Sequence, residues 1–266
     1  MVNNNLSYPK NLTLKPVRSN AGIISSYRKT LIENINEMNK DYYSKITKNL
    51  NFKKNYISDF NKNNESSENS KYILGLLFLI WSDKFSKLAE NLSNKIIENT
   101  LKHTDNSIKN KFKKNNLTYK SFMNENEINI LKSLIEENVS LIKSIHNDYH
   151  GDITGIIMRS ISKNKGETFV KKQIIKNLGV TKRRAEIIAR DQVTKANSSF
   201  VLMRQKQLGI TNAIWRYTWR SKVPRLDHVK SDGKIYNTEN GLNINGENIY
   251  PGELINCKCV SEWVLN

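Results

Sequence analysis

The sequence predicts an α+β protein: a mainly helical N-terminal region followed by a C-terminal module of helices and a small antiparallel sheet. Three observations lead to this prediction. Apolar residues recur at steps of three and four through most of the chain up to Leu208, which is the period of an α-helix. After Gly209 the period becomes two, as in a half-buried strand. Glycine and asparagine then cluster between short apolar segments, as in hairpin loops.

Three parts are expected along the chain. Residues 1–21 are polar, contain two prolines and show no period, so they predict a flexible, extended or disordered arm. Residues 22–140 predict the helical N-terminal region, and residues 141–266 the C-terminal module. The first residues lack the apolar run of a secretory signal, and no apolar run is long enough to span a bilayer. We therefore expect a soluble protein without a membrane partner.

The N-terminal region should contain two long helices. The first runs from Gly22 to Leu50, with Ser25 and Ser26 as candidate caps. A polar, low-complexity linker follows over 51–70. The second helix covers 70–102. Its first half is apolar nearly all round, so it should be the most buried helix of the N-terminal region.

Further helices follow in the module and its lead-in. The apolar period continues over 125–161, where Gly151 and Asp152 predict a break between two helices. A short helix is expected over 168–178. Gly179 should end it, and Thr181 should cap the next helix over 182–208, whose buried face carries small residues.

The C-terminal sheet is predicted from alternation. The strand after Gly209 should be half-buried, and its inner face carries the residues Ala213, Trp215, Tyr217 and Trp219. Short strands are expected at 235–236 and 249–250, with a loop over 237–248 between them. A last strand should begin at Cys259 and include Val264.

The charge is strongly basic: 43 Lys and Arg against 25 Asp and Glu give a formal net charge of +18. Such a charge is typical of proteins that bind a polyanion or an acidic protein, although a biased amino-acid composition could also produce it. Lysines are concentrated in residues 102–120. This segment could be a surface that contacts phosphates or a solvated connection between helices. The candidate contacts for DNA or an acidic protein are Lys109, Lys111, Lys113, Lys114, Lys182 and Arg183.

Three residues of the module could bind a metal ion: His228, Cys257 and Cys259. In an extended segment Cys-x-Cys places both sulfur atoms on one face. A histidine at a strand end could add a third ligand, and Asp227 or Asp232 a fourth, as in a structural zinc site. The alternative is a buried histidine bonded to a loop carbonyl beside two buried thiols. A disulfide between the two cysteines would be strained.

Two other histidines, His146 and His150, lie one helical turn apart. They could form a metal pair or be ordinary histidines on a helix surface. Two ligands without a third donor nearby are a weak signal.

The C-terminal motifs resemble the phage Mu F-like family of minor head proteins, which carries the phage head morphogenesis domain. The resemblance covers about the last third of the chain, and more loosely residues 141–157. It rests on the order of Arg184-Ala185, Ile188-Ala189-Arg190, Asn197, Trp219, Arg225, His228, Asp232-Gly233, Pro251-Gly252, Cys257 and Cys259. Arg190 and Asn197 are interpreted as structural, as are Trp219, Arg225, Asp232 and Gly233. Ser221 and Val223 depart from the family pattern, in which many members carry Asp and Arg.

The resemblance implies a minor capsid protein, not an enzyme, from a tailed phage or a prophage remnant. It would act at the portal vertex in head assembly and DNA packaging or ejection. The implied partners are the portal protein and double-stranded DNA, with scaffold or major capsid protein as further candidates. The implied location is the capsid interior, with host cytoplasm during assembly. The alternative is a metal-dependent nucleic-acid-processing enzyme that uses His228, Cys257 and Cys259.

Overall fold

The computed structural model describes residues 12–49, 60–163, 165–219 and 223–265. It confirms the α+β class, because the described residues form five helices and a small antiparallel sheet. The elements are β1 (Leu12–Leu14), α1 (Ala21–Asn49), α2 (Phe60–Lys114), α3 (Glu125–Ser162), α4 (Glu167–Gln207), β2 (Asn212–Arg216), α5 (Leu226–Lys230), β3 (Ile235–Asn237), β4 (Leu242–Ile244), β5 (Glu247–Ile249) and β6 (Val260–Leu265). None of the described helices is both long and apolar enough to cross a membrane.

The chain groups into two compact units. One unit comprises Met1–Ser25, Asn94–Ile135 and Ala189–Asn266, and the other comprises Ser26–Ser93 and Glu136–Ile188. The boundaries fall inside α1, α2, α3 and α4 and do not follow the expected sequential parts. The division at residue 140 therefore stays a prediction.

Glycine does not break α3 or α4, contrary to the expectation at Gly151 and Gly179. Both helices are continuous through these positions. A glycine within a helix costs only about 1 kcal/mol relative to alanine. Burial of the neighbouring Tyr149 and Ile153 offsets that cost in α3.

The second long helix extends further in both directions than its apolar period indicates. It begins at Phe60, so residues 60–70 are helical and not a linker, while residues 50–59 lie outside the described ranges. It continues to Lys114, so most of the lysine-rich segment is helix. The first half of α2 is not buried all round, because Tyr72, Leu79 and Ile80 are exposed on one side. Only the opposite face, with Leu77 and Trp81, is buried.

The arm is partly structured. Residues 1–11 lie outside the described part of the chain, but Leu12–Leu14 forms β1, an edge strand paired with β6. Helix α1 then begins at Ala21. Its N-cap is Asn20, whose side-chain oxygen accepts hydrogen bonds from the backbone N–H groups of Gly22 and Ile23. Ser25 and Ser26, the expected caps, lie within the helix.

The main sheet has the order β1-β6-β2-β3 and is antiparallel throughout, and β4 and β5 form a separate hairpin. In β2, Ala213 and Trp215 are buried as the alternation predicts. The strand ends at Arg216, however, because the N–H of Tyr217 donates to the Asp232 side chain. Trp219 consequently leaves the sheet and is 69% exposed, so its expected inward position is wrong.

Two apolar clusters on the buried face of the sheet anchor it within its unit. One cluster joins the sheet to the end of α2 through Phe112, Val201 and Trp263. A second surrounds Trp215 and Tyr236 and contains both cysteines. The second cluster therefore joins β2 and β3 to the loop that carries the two thiols.

Candidate metal centre

His228, Cys257 and Cys259 meet in a buried cluster. The Nδ1 atom of His228 lies 3.4 Å from the Sγ atom of Cys257 and 3.5 Å from that of Cys259. All three potential ligand atoms lie within 4.8 Å of one another. His228 comes from the short helix α5 and not from a strand end, which corrects the expected position.

These distances fit zinc. A tetrahedral ion with Zn–S near 2.3 Å and Zn–N near 2.0 Å separates the sulfur and nitrogen atoms by about 3.5 Å. Both measured sulfur–nitrogen distances agree with that value. Two edges of a zinc tetrahedron are thus already in place, and both meet at Nδ1 of His228.

The two aspartates expected as a fourth ligand are engaged elsewhere. The Asp227 carboxylate accepts the backbone N–H of His228 and the side-chain amide of Asn245. Asp232 accepts the N–H of Tyr217. Within the described residues neither belongs to the cluster, so a three-residue set leaves a fourth position for water or another donor.

The electrostatics favour a metal ligand. The pKa of Cys257 is lowered, mainly by a hydrogen bond from Cys259, with help from the N–H of Gly252. The pKa of Cys259 is raised by the same hydrogen bond and by burial. Cys257 is therefore the thiol that ionises first and presents a thiolate, the form that binds zinc.

The contacts of the His228 ring determine which of its nitrogen atoms faces the thiols. Its ring meets Trp215 edge to face, with centroids 5.3 Å apart and an interplanar angle of 87°. Its Nε2 atom is buried without a hydrogen-bond partner among the described residues. This orientation leaves Nδ1 as the nitrogen that faces the thiols.

The loop that carries the cysteines is fixed by motif residues. Arg190 donates to the side-chain oxygen of Asn256 at 2.7 Å, and Arg225 donates to the carbonyl of Ile255 at 3.0 Å. Ser198 donates to the carbonyl of Pro251. The loop is therefore tied to both α4 and the start of α5.

Asn197 and Gly233 lie outside the metal cluster. Asn197 is buried, donates to the Val17 carbonyl and accepts a hydrogen bond from Thr104. Gly233 has a φ of +80°, and its N–H donates to the carbonyl of Trp215. Trp219 is exposed, so the structure does not bring all of the expected motif residues together.

Gly252 cannot be replaced without strain. Its φ is +85°, and a Cβ atom there would lie 3.0 Å from the Cβ atom of Ser198. We expect Gly252→Ala to destabilise the protein by more than the roughly 1 kcal/mol that a positive φ alone costs. Gly246→Ala is the matched control, because φ is +89° there and no atom lies within 4 Å. Equal losses in urea unfolding would contradict the crowding at Pro251-Gly252.

The basic residues predicted as contacts fall in both units. Lys109, Lys113 and Lys114 are exposed on α2 and Lys111 is half-buried there. Lys182 and Arg183 lie on α4 in the other unit. Sequence analysis missed Lys15 and Arg18, which act electrostatically on Lys111. No local pattern relates these residues, because almost a hundred positions separate them.

His146 and His150 pack in an aromatic cluster and are not surface histidines. His146 is 1% exposed and stacks on Phe85, and the Tyr42 hydroxyl lies 3.4 Å from its Nε2 atom and 3.0 Å from Nδ1 of His150. Across the described ranges, the group at His228 alone brings three or more potential metal ligands together. The pair therefore lacks the third donor that a metal site needs.

The buried His146 predicts an acid-sensitive fold. Burial, followed by the charge of His150, lowers its pKa from 6.5 to about 4. Between these values the unfolded chain binds a proton that the folded chain excludes, so stability should fall as the pH drops through this window. Urea midpoints measured across the window should decline less steeply for His146→Gln. An unchanged slope would show that other groups cause the loss.

The candidate metal site lies in a part of the chain that matches a known protein family. Residues 142–262 match the family described as Phage Mu protein F like protein. No curated protein and no solved structure matches the chain. The matched range contains the metal cluster and every motif residue from Arg184 to Cys259. This match confirms the resemblance found in the motifs: residues 142–262 of this chain are similar to the Phage Mu protein F like family.

Proposed function

We propose that the protein is a minor head protein that acts without catalysis in phage head morphogenesis. The observation that carries this proposal is that motif side chains within the family region bind the protein's own loops and turns. Arg190 and Arg225 both hold the cysteine loop, and Asp232 holds the turn after β2. A catalytic arrangement would instead direct such groups toward a substrate.

The metal centre is proposed as a structural zinc site. His228 would supply Nδ1 from α5, and Cys257 and Cys259 would supply thiolates from the loop before β6. Bound zinc would crosslink these two segments, which also join through the hydrogen bond from Arg225 to the Ile255 carbonyl. The burial of both thiols beside the apolar side chains of Trp215 and Tyr236 favours a structural role.

The proposed partners are the portal protein and double-stranded DNA at the portal vertex. The net charge of +18 supports contact with a polyanion or an acidic surface. On α2, Lys111 and Lys114 offer such a surface. A position inside the capsid would place these residues beside packaged DNA, and scaffold or major capsid protein would be further neighbours during assembly.

Crosslinking in assembling particles tests the proposal. A lysine-reactive crosslinker added to procapsids should join this chain to the portal protein, and mass spectrometry should identify the linked lysines. Crosslinks only to proteins outside the particle, with none to portal or capsid proteins, would contradict it. A portal-free assembly mutant gives the control, because those crosslinks should then disappear.

A further inference from the structure

A basic groove runs between the β1–α1 connection and one face of α2. It is lined by Arg18, His103, Ser107, Asn110, Lys111 and Lys114, with Val17 buried beneath them. All of these residues belong to the unit that contains the sheet. The α2 members recur at helical spacing, so they share one face of the helix.

His103 fixes the groove. One ring nitrogen lies 3.2 Å from the side-chain amide of Asn20, and the other lies 3.1 Å from the carbonyl of Arg18. Asn20 also caps α1. The connection is therefore tied to α2, and the Arg18 side chain stays free to reach a ligand.

The charges in the groove repel one another. Lys15, Arg18, Lys111 and Lys114 form no ion pair with any carboxylate of the described residues, and no acidic residue lines the groove. The pKa of Lys111 is lowered by burial and then by the charges of Lys114, Lys15 and Arg18. Four cations gathered without an acid are more stable when an anion lies among them.

We propose that this groove binds neighbouring phosphates of a DNA backbone, which deepens the DNA contact of the proposed function and rests on it. Duplex DNA carries about one negative charge per 1.7 Å of its axis, a density that can neutralise several cations in a short groove. An extended acidic peptide reaches at most about one charge per 3.3 Å. The neutral donors Ser107 and Asn110 also suit phosphate oxygens.

The helix supplies its own control. Lys109 and Lys113 lie one turn apart, about 160° around α2 from Lys111. Both are exposed and carry the same charge as the groove lysines. The double variants Lys111→Gln/Lys114→Gln and Lys109→Gln/Lys113→Gln therefore remove equal charge from opposite faces. Glutamine keeps nearly the same helix propensity as lysine.

Fluorescence anisotropy with a short duplex of mixed sequence, at salt concentrations from about 50 to 200 mM, gives the test. The dependence of log affinity on log salt should be about two units shallower for Lys111→Gln/Lys114→Gln. It should be unchanged for Lys109→Gln/Lys113→Gln. Arg18→Gln, from outside the helix, should lower the slope by about one. Circular dichroism confirms that each variant is folded.

The remaining outcomes separate the groove from the wider proposal. Equal losses in the two double variants, or no loss in the groove variant, would overturn the groove while the DNA contact stands. Wild-type protein that does not bind the duplex would overturn the groove and the DNA contact together. Tighter binding to polyglutamate than to DNA would assign the groove to an acidic protein and overturn the proposal.

Discussion

Replacing Cys257 by alanine should remove one bound zinc ion per chain and unfold the C-terminal module at temperatures that the wild-type protein survives. Nδ1 of His228 already lies at the spacing of a zinc tetrahedron from both sulfur atoms. A ligand present at a thousandfold excess over its Kd stabilises a fold by about 4 kcal/mol. We therefore expect a loss of that order when the site is destroyed, measured by thermal unfolding and by elemental analysis of the purified protein.

Two control experiments test whether this loss of stability comes from the zinc site. Asp227→Asn should keep its zinc and its stability, because the Asp227 carboxylate binds N–H groups and lies outside the cluster. A chelator should destabilise the wild-type protein and leave the Cys257→Ala variant unchanged. Wild-type protein purified with zinc-containing buffers but holding no metal would exclude the zinc site.

The same variant distinguishes the enzymatic alternative. A metal-dependent nucleic-acid-processing enzyme predicts a Cys257→Ala protein that folds normally but loses nuclease activity. A structural site predicts that the Cys257→Ala protein unfolds at a lower temperature than the wild type. It also predicts that the wild type has no nuclease activity. Assays on both proteins with single- and double-stranded DNA therefore separate the two hypotheses.

Replacing Arg204 by methionine should have the second largest effect on stability. Arg204 is 1% exposed, and its guanidinium forms two hydrogen bonds to Asp105, at 2.8 and 3.0 Å. It also donates to the Phe122 carbonyl and lies 3.5 Å from Glu127, which is itself buried. Methionine fills much of the same space but leaves two carboxylates without their cation.

The expected loss is about 3–5 kcal/mol, the range found when one partner of a buried ion pair is removed. Lys206→Met is the matched control on the same helix. Lys206 pairs with Glu239 at 2.9 Å, but both side chains are exposed, so that pair should contribute less than about 1 kcal/mol. Similar urea midpoints for the two variants would show that the Arg204 network does not stabilise the fold.

Local patterns in the sequence predicted the elements that depend on local spacing. Helical period marked α1, α3 and most of α4, and alternation marked the buried faces of Ala213 and Trp215. The metal residues could also be chosen, because His228 is the only histidine after α4 in the sequence and Cys257 and Cys259 are its only cysteines. Their meeting, however, depends on a turn and a loop that bring residues about thirty positions apart together.

Features that arise from tertiary contacts could not be predicted. Arg204 and Asp105 are separated by 99 positions, and neither shows a local sign of its partner. Packing carries α3 through Gly151, where propensity alone predicts a break. Trp219 looked like another inward residue because alternation does not reveal that Asp232 ends β2.

Mass spectrometry of purified particles, with the copy number scaled to the portal protein, tests the central claim most directly. A minor head protein should be present at a few copies per portal ring in procapsids, and capsid proteins should accompany it through purification. Absence from both procapsids and mature particles would contradict a role in the phage head.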